Sequence, residues 1–222
     1  KNTILWFCSD NGGLKNIYPT TVGGLRGSKN TMWEGGLRVP AIIEWPETIN
    51  PGITNYPVST MDIFPTLLEI VGLFPDKNYT NIDGKSITNL FADNKQKRTL
   101  KIPFRFDNRG ALIDNHIKLI AHDINESDYG LYDLLKDPTE SIDISISNPQ
   151  LFQSMKNEFI IWNNSVKNEV NQLKFNDPIY WVIMEQYIKY FDQWIKRPEY
   201  SKWISRALKK EGPGFNNLGP IK

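Results

Sequence analysis

The stretch "SDNGG", residues 9–13, directly follows the apolar run "ILWFC", residues 4–8, and decides how the chain is interpreted. An apolar run without polar alternation is typical of a strand buried on both faces, as in a parallel sheet. Because Asp, Asn and Gly are common turn formers, "SDNGG" alone is compatible with a simple turn. The alternative is that Asp10 and Asn11 present oxygen ligands at the carboxyl end of a strand, where open α/β sheets place their sites. Such oxygens are the ligands that Ca²⁺ or Mg²⁺ prefers.

Composition and charge limit the class of protein. Of the 222 residues, 40% are apolar and 12% are aromatic, which is enough for a sizeable core. A formal net charge of +1, without a long basic run, argues against a nucleic-acid partner. No run of 18 apolar residues occurs, so we expect no membrane span. No signal peptide is visible, and because the chain begins at Lys1 rather than Met we expect that residues precede it.

The cysteine and histidine residues offer little chemistry. Cys8 is the only cysteine, which rules out an internal disulfide framework and a cysteine-based zinc site. Because it lies in the apolar run, we interpret it as a small buried hydrophobic residue. The two histidines, His116 and His122, lie in a segment of alternating polarity, and we interpret both as structural rather than catalytic.

The first hundred residues predict alternating strands and helices. "RVPAIIEWP", residues 38–46, predicts a second short apolar strand. "STMDIFPTLLEIVGL", residues 59–73, predicts a helix with Thr60 as its N-cap and Gly72 at its end. Strand and helix signals in this order are typical of an α/β domain.

The pattern changes near residue 100. "GALIDNHIKLIAHD", residues 110–123, alternates with period two around Asp114-Asn115 and predicts a β-hairpin, and residues 129–138 predict a further strand. Apolar residues at helical spacing then predict an amphipathic helix. Those residues are Phe152, Met155, Phe159, Trp162 and Val166. Two more helices are predicted over residues 178–197 and 198–212. We therefore expect an α/β region over residues 1–99, a small antiparallel subdomain over 100–175 and a helical extension over 176–222.

A second chemically suggestive stretch is "LRGSKNTMWEGGLRVPAII", residues 25–43. Lys29 lies among small residues, which would let its ammonium group approach an anion closely. The simpler alternative is a solvated loop lysine. Neither stretch is specific by itself, and their combination carries the interpretation.

In combination, the motifs closely resemble the carboxyl-terminal half of type I sulfatases, in the alkaline-phosphatase superfamily. The resemblance covers residues 3 to about 150 as one colinear series. The series is "SDNGG", "LRGSKNTMWEGGLRVPAIIEWP", "PGITNYPVSTMDIFPTLLEIVGL", "IDGKSI" and "LYDLLKDPTES". It implies the carboxyl-terminal part of a sulfatase-like α/β sandwich, followed by a small antiparallel β-sheet subdomain with packing helices. On this view the first strand is a central strand of the larger sheet.

The resemblance also implies roles for individual residues. Asp10 and Asn11 would complete a four-ligand calcium site, with Mg²⁺ as the alternative metal. Lys29 would bind the sulfate group of the substrate. Trp33 and Arg38 match recurrent family positions, for which substrate contact is one interpretation. The other is architectural, with Arg38 pairing to Glu34 and pinning the loop.

One part of the family's active site is missing from the chain. The sulfatase nucleophile is a formylglycine made from the Cys or Ser of a C/S-x-P-x-R motif, and no such motif occurs in the 222 residues. "SNPQL", beginning at Ser147, has Leu where the motif requires Arg. The resemblance therefore implies half of an active site, with the formylglycine expected in a missing amino-terminal half.

Three interpretations of function remain open at this point. The first is part of a sulfatase that acts on a sulfated small molecule or polysaccharide and has a periplasmic or secreted location. The second is a phosphodiesterase or phosphonate hydrolase of the same superfamily. The third is a non-catalytic binding module, which would need a covered sheet edge or a homo-oligomer because an isolated half-sheet exposes a hydrophobic edge.

Overall fold

The structure is a computed structural model that describes residues 2–14, 21–73, 82–92 and 97–172. The chain divides into two compact units, residues 1–163 and 164–222. The two helices predicted after residue 176 lie outside the described residues. The three-part division into residues 1–99, 100–175 and 176–222 stays a prediction.

The apolar run at the start forms strand β1 (Leu5–Cys8), which pairs antiparallel with β2 (Ala41–Glu44). The prediction of a strand buried on both faces, as in a parallel sheet, is wrong for the described residues, because Leu5 is 57% exposed and Phe7 is 62% exposed. Cys8 is a free thiol and only partly buried, so it is not the buried core residue that we predicted. A run without alternation identifies a strand but carries no information on its partner, and here the partner is β2.

The predicted helix forms as a 3-10 turn (Thr60–Asp62) that continues into α2 (Ile63–Ile70). The N-cap is Ser59 rather than Thr60: its hydroxyl accepts from the Met61 N–H at 3.4 Å, and its own N–H donates to Asp62 Oδ2 at 2.8 Å. The predicted end at Gly72 is confirmed by its φ of 71°, a left-handed conformation that glycine adopts without strain.

The predicted hairpin and following strand are confirmed within a four-stranded antiparallel sheet of order β3-β4-β5-β6. Its strands are β3 (Ile102–Phe106), β4 (Arg109–Asp114), β5 (Ile117–Asp123) and β6 (Asp128–Asp133). Asn115, in the turn between β4 and β5, has a φ of 54°, which Asn tolerates better than most residues. Its side chain also hydrogen-bonds both backbone groups of Arg98, at 2.9 and 3.0 Å.

One face of this sheet is covered by helix α3 (Pro149–Gln172), as the spacing of its apolar residues predicts. Met155 and Phe159 are fully buried against Leu119 and Leu131 of the sheet. The Phe159 ring fills the space above Gly110, where an added Cβ would lie 2.3 Å from the ring. Helix and sheet therefore form one core.

The opposite face of the sheet is covered by residues 32–37, which include the short helix α1 (Glu34–Leu37). Met32 is buried there with Ala111, Ile120 and Tyr132, and Trp33 and Leu37 pack at the edge of this cluster. Because side chains alternate between the faces of a strand, Ile120 points to this side and Leu119 points to α3. The sheet is thus buried on both faces. The segment that covers the second face, residues 32–37, is part of the same stretch of sequence as Lys29.

A buried ion pair lies between the first part of the chain and the small sheet. The Arg98 guanidinium binds the Asp62 carboxylate through two contacts, of 2.7 and 2.9 Å, and both side chains are buried. Asp62 also accepts the N–H groups of Ser59 and Lys85, each at 2.8 Å. This saturated carboxylate links α2, the segment near residue 85 and the start of the sheet. In the described part of the chain, no helix has the length and apolar character of a membrane span.

Candidate substrate and metal site

The two stretches that the sequence singles out lie side by side. The Gly12 N–H donates to the Gly36 carbonyl at 2.9 Å, and the Lys29 N–H donates to the Gly13 carbonyl at 2.8 Å. The backbones approach so closely that a Cβ on Gly12 would lie 1.9 Å from the Gly35 carbonyl oxygen. The first glycine of "SDNGG", Gly12, is therefore needed for this contact, beyond any role in a turn.

Residues 26–38, called the glycine-rich loop below, are held by their own backbone hydrogen bonds. Gly35 N–H donates to the Arg26 carbonyl at 2.7 Å, which brings the two ends of the loop together. Gly27 and Asn30 have φ values of 78° and 71°, so the chain turns sharply on both sides of Lys29. Lys29 is exposed, and its backbone lies beside Gly13.

Asp10 and Asn11 could contribute to a metal site that is completed from elsewhere. The Asp10 side chain is exposed and Asn11 is partly exposed, so their oxygens can be reached by other ligands. The Ser9 hydroxyl donates to the Asn11 carbonyl at 2.9 Å, which orders the turn that carries both residues. Among the described residues, no three His, Cys, Asp or Glu side chains cluster so as to hold a metal ion. This donor set fits two ligands of a Ca²⁺ or Mg²⁺ site. Their roles, and that of Lys29, stay predictions.

Trp33 is surrounded by other side chains. The Arg26 guanidinium carbon lies 3.6 Å from the centre of its ring, within the range of a cation–π contact. The rings of His122 and Tyr132 are centred 5.0 and 5.4 Å away. Contacts of this kind are those expected if Trp33 has an architectural role. Contact of Trp33 or Arg38 with substrate remains a prediction.

The two ring partners of Trp33 have shifted ionisation. Burial lowers the pKa of His122, and the nearby Arg26 cation adds to that effect. His122 is therefore favoured in its neutral form, and its Nε2 lies 3.2 Å from the Tyr132 hydroxyl. Burial, with a smaller contribution from Asp143, raises the pKa of Tyr132 to about 12. Both shifts favour the uncharged form of the side chain, and the structural role of His122 stays a prediction.

Beneath the glycine-rich loop lies a set of three buried charged residues, Glu34, Lys118 and Glu140, called the buried charge cluster below. The Lys118 ammonium lies 2.8 Å from Glu34 Oε1 and 2.7 Å from Glu140 Oε1. The proposed Glu34–Arg38 pairing is thus wrong: the carboxylate of Glu34 binds Lys118, and Arg38 is exposed. Arg38 meets Glu34 only through its backbone N–H, at 2.7 Å from the Glu34 carbonyl. Because α1 ends at Leu37 and Arg38 is extended, its side chain leaves the helical face that an i, i+4 pair requires.

Glu140 also holds the glycine-rich loop at two points. Its Oε2 accepts the Glu34 N–H at 2.7 Å, and its backbone carbonyl accepts from Arg26 Nη1 at 2.6 Å. Burial raises the pKa of Glu140, although the Lys118 cation opposes this effect. Among the described residues, both ends of the loop are therefore tied to one residue that follows β6.

Arg26, Lys118 and Glu140 were not recognised as functional residues from the sequence. Lys118 left a signal, since it lies in an apolar strand at the same parity as Ile120, which faces the core. A charged residue at such a position requires a buried partner. Glu140 lies in the quoted motif "LYDLLKDPTES", but nothing in the sequence connects it to residue 34, which is 106 positions away.

Fold and motifs define the class of protein as the carboxyl-terminal region of a sulfatase, and comparison with known proteins agrees. The family model described as N-sulphoglucosamine sulphohydrolase, C-terminal, matches residues 27–162. A sulfatase from Formosa agariphila is 35% identical over 185 residues, which cover 73% of this chain and 33% of that protein. The crystal structure of Ps i-CgsB in complex with k-i-k-neocarrahexaose is similar with a TM-score of 0.64 and 27% identity, over 88% of this chain and 44% of that one. The structure of BT4656 in complex with its substrate D-glucosamine-2-N,6-O-disulfate shares the fold, with a TM-score of 0.55 and 21% identity over 80% of this chain and 36% of that one.

Because the family model matches more than half of the chain, the chain belongs to the N-sulphoglucosamine sulphohydrolase C-terminal family of sulfatase domains. The predicted resemblance to sulfatases and the mixed α/β fold class are thereby confirmed. The chain spans one third of the length of the Formosa relative.

Proposed function

We propose that this chain is the carboxyl-terminal part of a sulfatase, a hydrolase of sulfuric esters, and that it supplies part of the metal and sulfate site. The observation that carries the proposal is the pair of backbone hydrogen bonds, Gly12 to Gly36 and Lys29 to Gly13, between the two candidate stretches. They place the backbone of Lys29, an exposed residue, next to Gly13, two and three positions after Asn11 and Asp10. An anion that binds between a metal and a lysine needs this combination of groups.

In this proposal, Asp10 and Asn11 are ligands of Ca²⁺, with Mg²⁺ as the alternative. The bound cation would stabilise negative charge on the sulfate oxygens. Lys29 binds the same group as a point charge with three N–H donors. A cation held near developing negative charge stabilises the transition state.

The nucleophile must come from another part of the protein or from another chain. The C/S-x-P-x-R motif is absent from these 222 residues, and the chain alone is therefore proposed to be inactive. We propose that the missing amino-terminal half contributes a formylglycine and the remaining metal ligands. The resemblance to type I sulfatases supports this assignment.

For the substrate we propose a sulfated carbohydrate, and for the location the periplasm or the exterior of the cell. The likeness to Ps i-CgsB, which was crystallised with an oligosaccharide, supports the substrate class. The location is proposed from the family resemblance alone.

The test is hydrolysis of an aryl sulfate by the complete protein, with and without added Ca²⁺ after treatment with EDTA. We expect that Asp10→Ala abolishes the response to Ca²⁺ and that Lys29→Ala lowers kcat/KM by about 100-fold, within the range for lost electrostatic stabilisation. The matched controls are Glu126→Ala and Lys136→Ala, which change exposed residues of the same charge.

Three outcomes would contradict the proposal. Full activity of both Asp10→Ala and Lys29→Ala would remove these residues from the site. Hydrolysis of a phosphodiester or phosphonate ester by the complete protein, without sulfatase turnover, would favour the other hydrolases of the superfamily. No hydrolysis of an aryl sulfate, a sulfated oligosaccharide or a phosphorus ester would favour the binding module.

A further inference from the structure

The proposed function does not use the buried charge cluster, which joins Glu34 of the glycine-rich loop to Lys118 and Glu140 of the small subdomain. Lys118 and Glu140 are fully buried, and Glu34 is 4% exposed. Two carboxylates and one ammonium leave the cluster with one excess negative charge when all three groups are ionised. Burying charge in this way is a weak source of stability, because desolvation offsets the attraction between the ions. Such a cluster therefore calls for an explanation other than stability.

The contacts of the cluster point to the glycine-rich loop. Glu140 accepts a hydrogen bond from the Glu34 N–H, at one end of the loop, and from Arg26, at the other end. Lys118 joins both carboxylates to strand β5. The loop is therefore fixed to the rigid sheet by ionic and charge-assisted contacts, which are directional and strong.

The loop in turn fixes the stretch that carries the candidate metal ligands. Gly36 and Lys29 hydrogen-bond the backbone of residues 12 and 13, directly after Asp10 and Asn11. The two backbones are closely packed at this contact, because a Cβ on Gly12 would lie 1.9 Å from the Gly35 oxygen. A displacement of the loop by even a fraction of an ångström must be shared by both stretches.

We propose that Glu34, Lys118 and Glu140 are positioning residues that set the place of Lys29 relative to Asp10 and Asn11. The cluster transmits the geometry of the four-stranded sheet, through the glycine-rich loop, to the site where metal and sulfate bind. This inference rests on the proposed function for its kinetic consequences. The structural part, control of the loop by the cluster, can be tested without any turnover.

The variant of choice is Glu140→Gln, because Gln keeps the shape but cannot satisfy both partners. A Gln amide presents one oxygen and one NH₂ group, so either Lys118 or the Glu34 N–H loses position 140 as an acceptor. We expect the KM for an aryl sulfate and the inhibition constant of inorganic sulfate to rise about tenfold. Losses of this size are typical of residues that orient the binding groups without touching the ligand themselves.

The control is Asp62→Asn, which alters a buried ion pair outside the loop. We expect this variant to lower the melting temperature while KM and the inhibition constant remain those of the parent protein. A purely structural role for the cluster would give the same result for Glu140→Gln, because loss of folded enzyme lowers the apparent kcat and leaves KM unchanged. Unchanged constants in Glu140→Gln would therefore refute the proposal, whatever its melting temperature.

Hydrogen exchange supplies the readout that needs no activity. The amides of Gly12 and Lys29 donate across the contact between the two stretches, so their exchange reports whether the contact opens. We expect faster exchange at both amides in Glu140→Gln, relative to the amides of α2 in the same sample. If these amides exchange faster in Glu140→Gln but the complete protein has no sulfatase activity, the proposed function is refuted and the positioning role stands. If exchange is unchanged in Glu140→Gln and the complete protein is an active sulfatase, the positioning role is refuted and the proposed function stands.

If Glu140→Gln does not fold, Glu34→Gln decides by the same criteria. This variant keeps the hydrogen bond from the Glu34 N–H to Glu140 and removes the charge that the Lys118 ammonium contacts at 2.8 Å. Parent-like constants and parent-like exchange in Glu34→Gln would overturn the proposal.

Discussion

The substitution Gly12→Ala tests the contact on which the candidate site depends. The added methyl group would lie 1.9 Å from the Gly35 oxygen, 2.7 Å from its carbonyl carbon and 2.8 Å from the Gly36 Cα. All three atoms belong to the backbone, so no side chain can rotate away. The stretch after β1 and the glycine-rich loop must therefore separate. This separation breaks the hydrogen bond from the Gly12 N–H to the Gly36 carbonyl.

The expected cost follows from two contributions. Forcing a methyl group into a filled space costs about 1–3 kcal/mol. Loss of the hydrogen bond adds about 1 kcal/mol, which brings the expected total to about 2–4 kcal/mol. Because the separation also moves Lys29 away from residues 10 and 11, we expect a lower affinity for sulfate along with the lower stability.

The assay is urea and thermal unfolding of the complete protein, combined with inhibition of its activity by inorganic sulfate. The control is Gly23→Asn, since Gly23 has no atom within 4 Å of an added Cβ and its φ of 61° is one that Asn tolerates. We expect Gly23→Asn to lie within about 0.5 kcal/mol of the parent. A Gly12→Ala protein as stable as this control would refute the close contact and, with it, the proximity of the two stretches.

Three further predictions concern the packing around the site. Arg98→Met leaves the fully buried Asp62 carboxylate without its cation, so we expect destabilisation by about 3–5 kcal/mol in urea unfolding; a loss below 1 kcal/mol would contradict this. Glu158→Gln breaks its half-exposed ion pair with Lys101, and the same assay should detect less than about 1 kcal/mol. Burial raises the pKa of Tyr132 to about 12, so the folded state favours the protonated phenol. The resulting contribution to the free energy of unfolding is present below pH 10, the ordinary pKa of tyrosine, and is lost as the pH rises towards 12. Ultraviolet titration of Tyr132→Phe should lose one phenol from the late part of the parent curve, and an unchanged late part would show that this hydroxyl is not shielded.

Much of the fold was predictable from local pattern. Period-two alternation over residues 110–123 predicted the β4–β5 hairpin, and apolar spacing from Phe152 to Trp162 predicted the face of α3 that packs on the sheet. Gly72 ended α2 as expected. Such patterns can be recognised in the sequence because side-chain direction repeats with the period of the strand or helix. The polarity of each residue therefore indicates whether its side chain faces the core or the solvent.

The candidate site was predictable only through motifs. Asp10, Asn11 and Lys29 were selected because their types and order resemble those of sulfatases, and their roles still stand as predictions. For Glu34, the local pattern suggested a partner four residues away, whereas its partners are Lys118 and Glu140. The pattern of β1 identified a strand but did not reveal the antiparallel partner β2 or the exposure of its side chains.

By itself, the sequence indicated β1, β2, α2, the β4–β5 hairpin, β6 and α3, and it singled out residues whose side chains are of the types that bind a metal and an anion, because these signals depend on side-chain type and on local spacing. The tertiary structure alone decided which of them meet: Gly12 with Gly36, Lys29 with Gly13, and Glu34 with Lys118 and Glu140. The physical reason is that a hydrogen bond or an ion pair requires atoms within about 3 Å. Only the folding of the glycine-rich loop onto the sheet brings groups that are 84 to 106 positions apart in the chain within that distance.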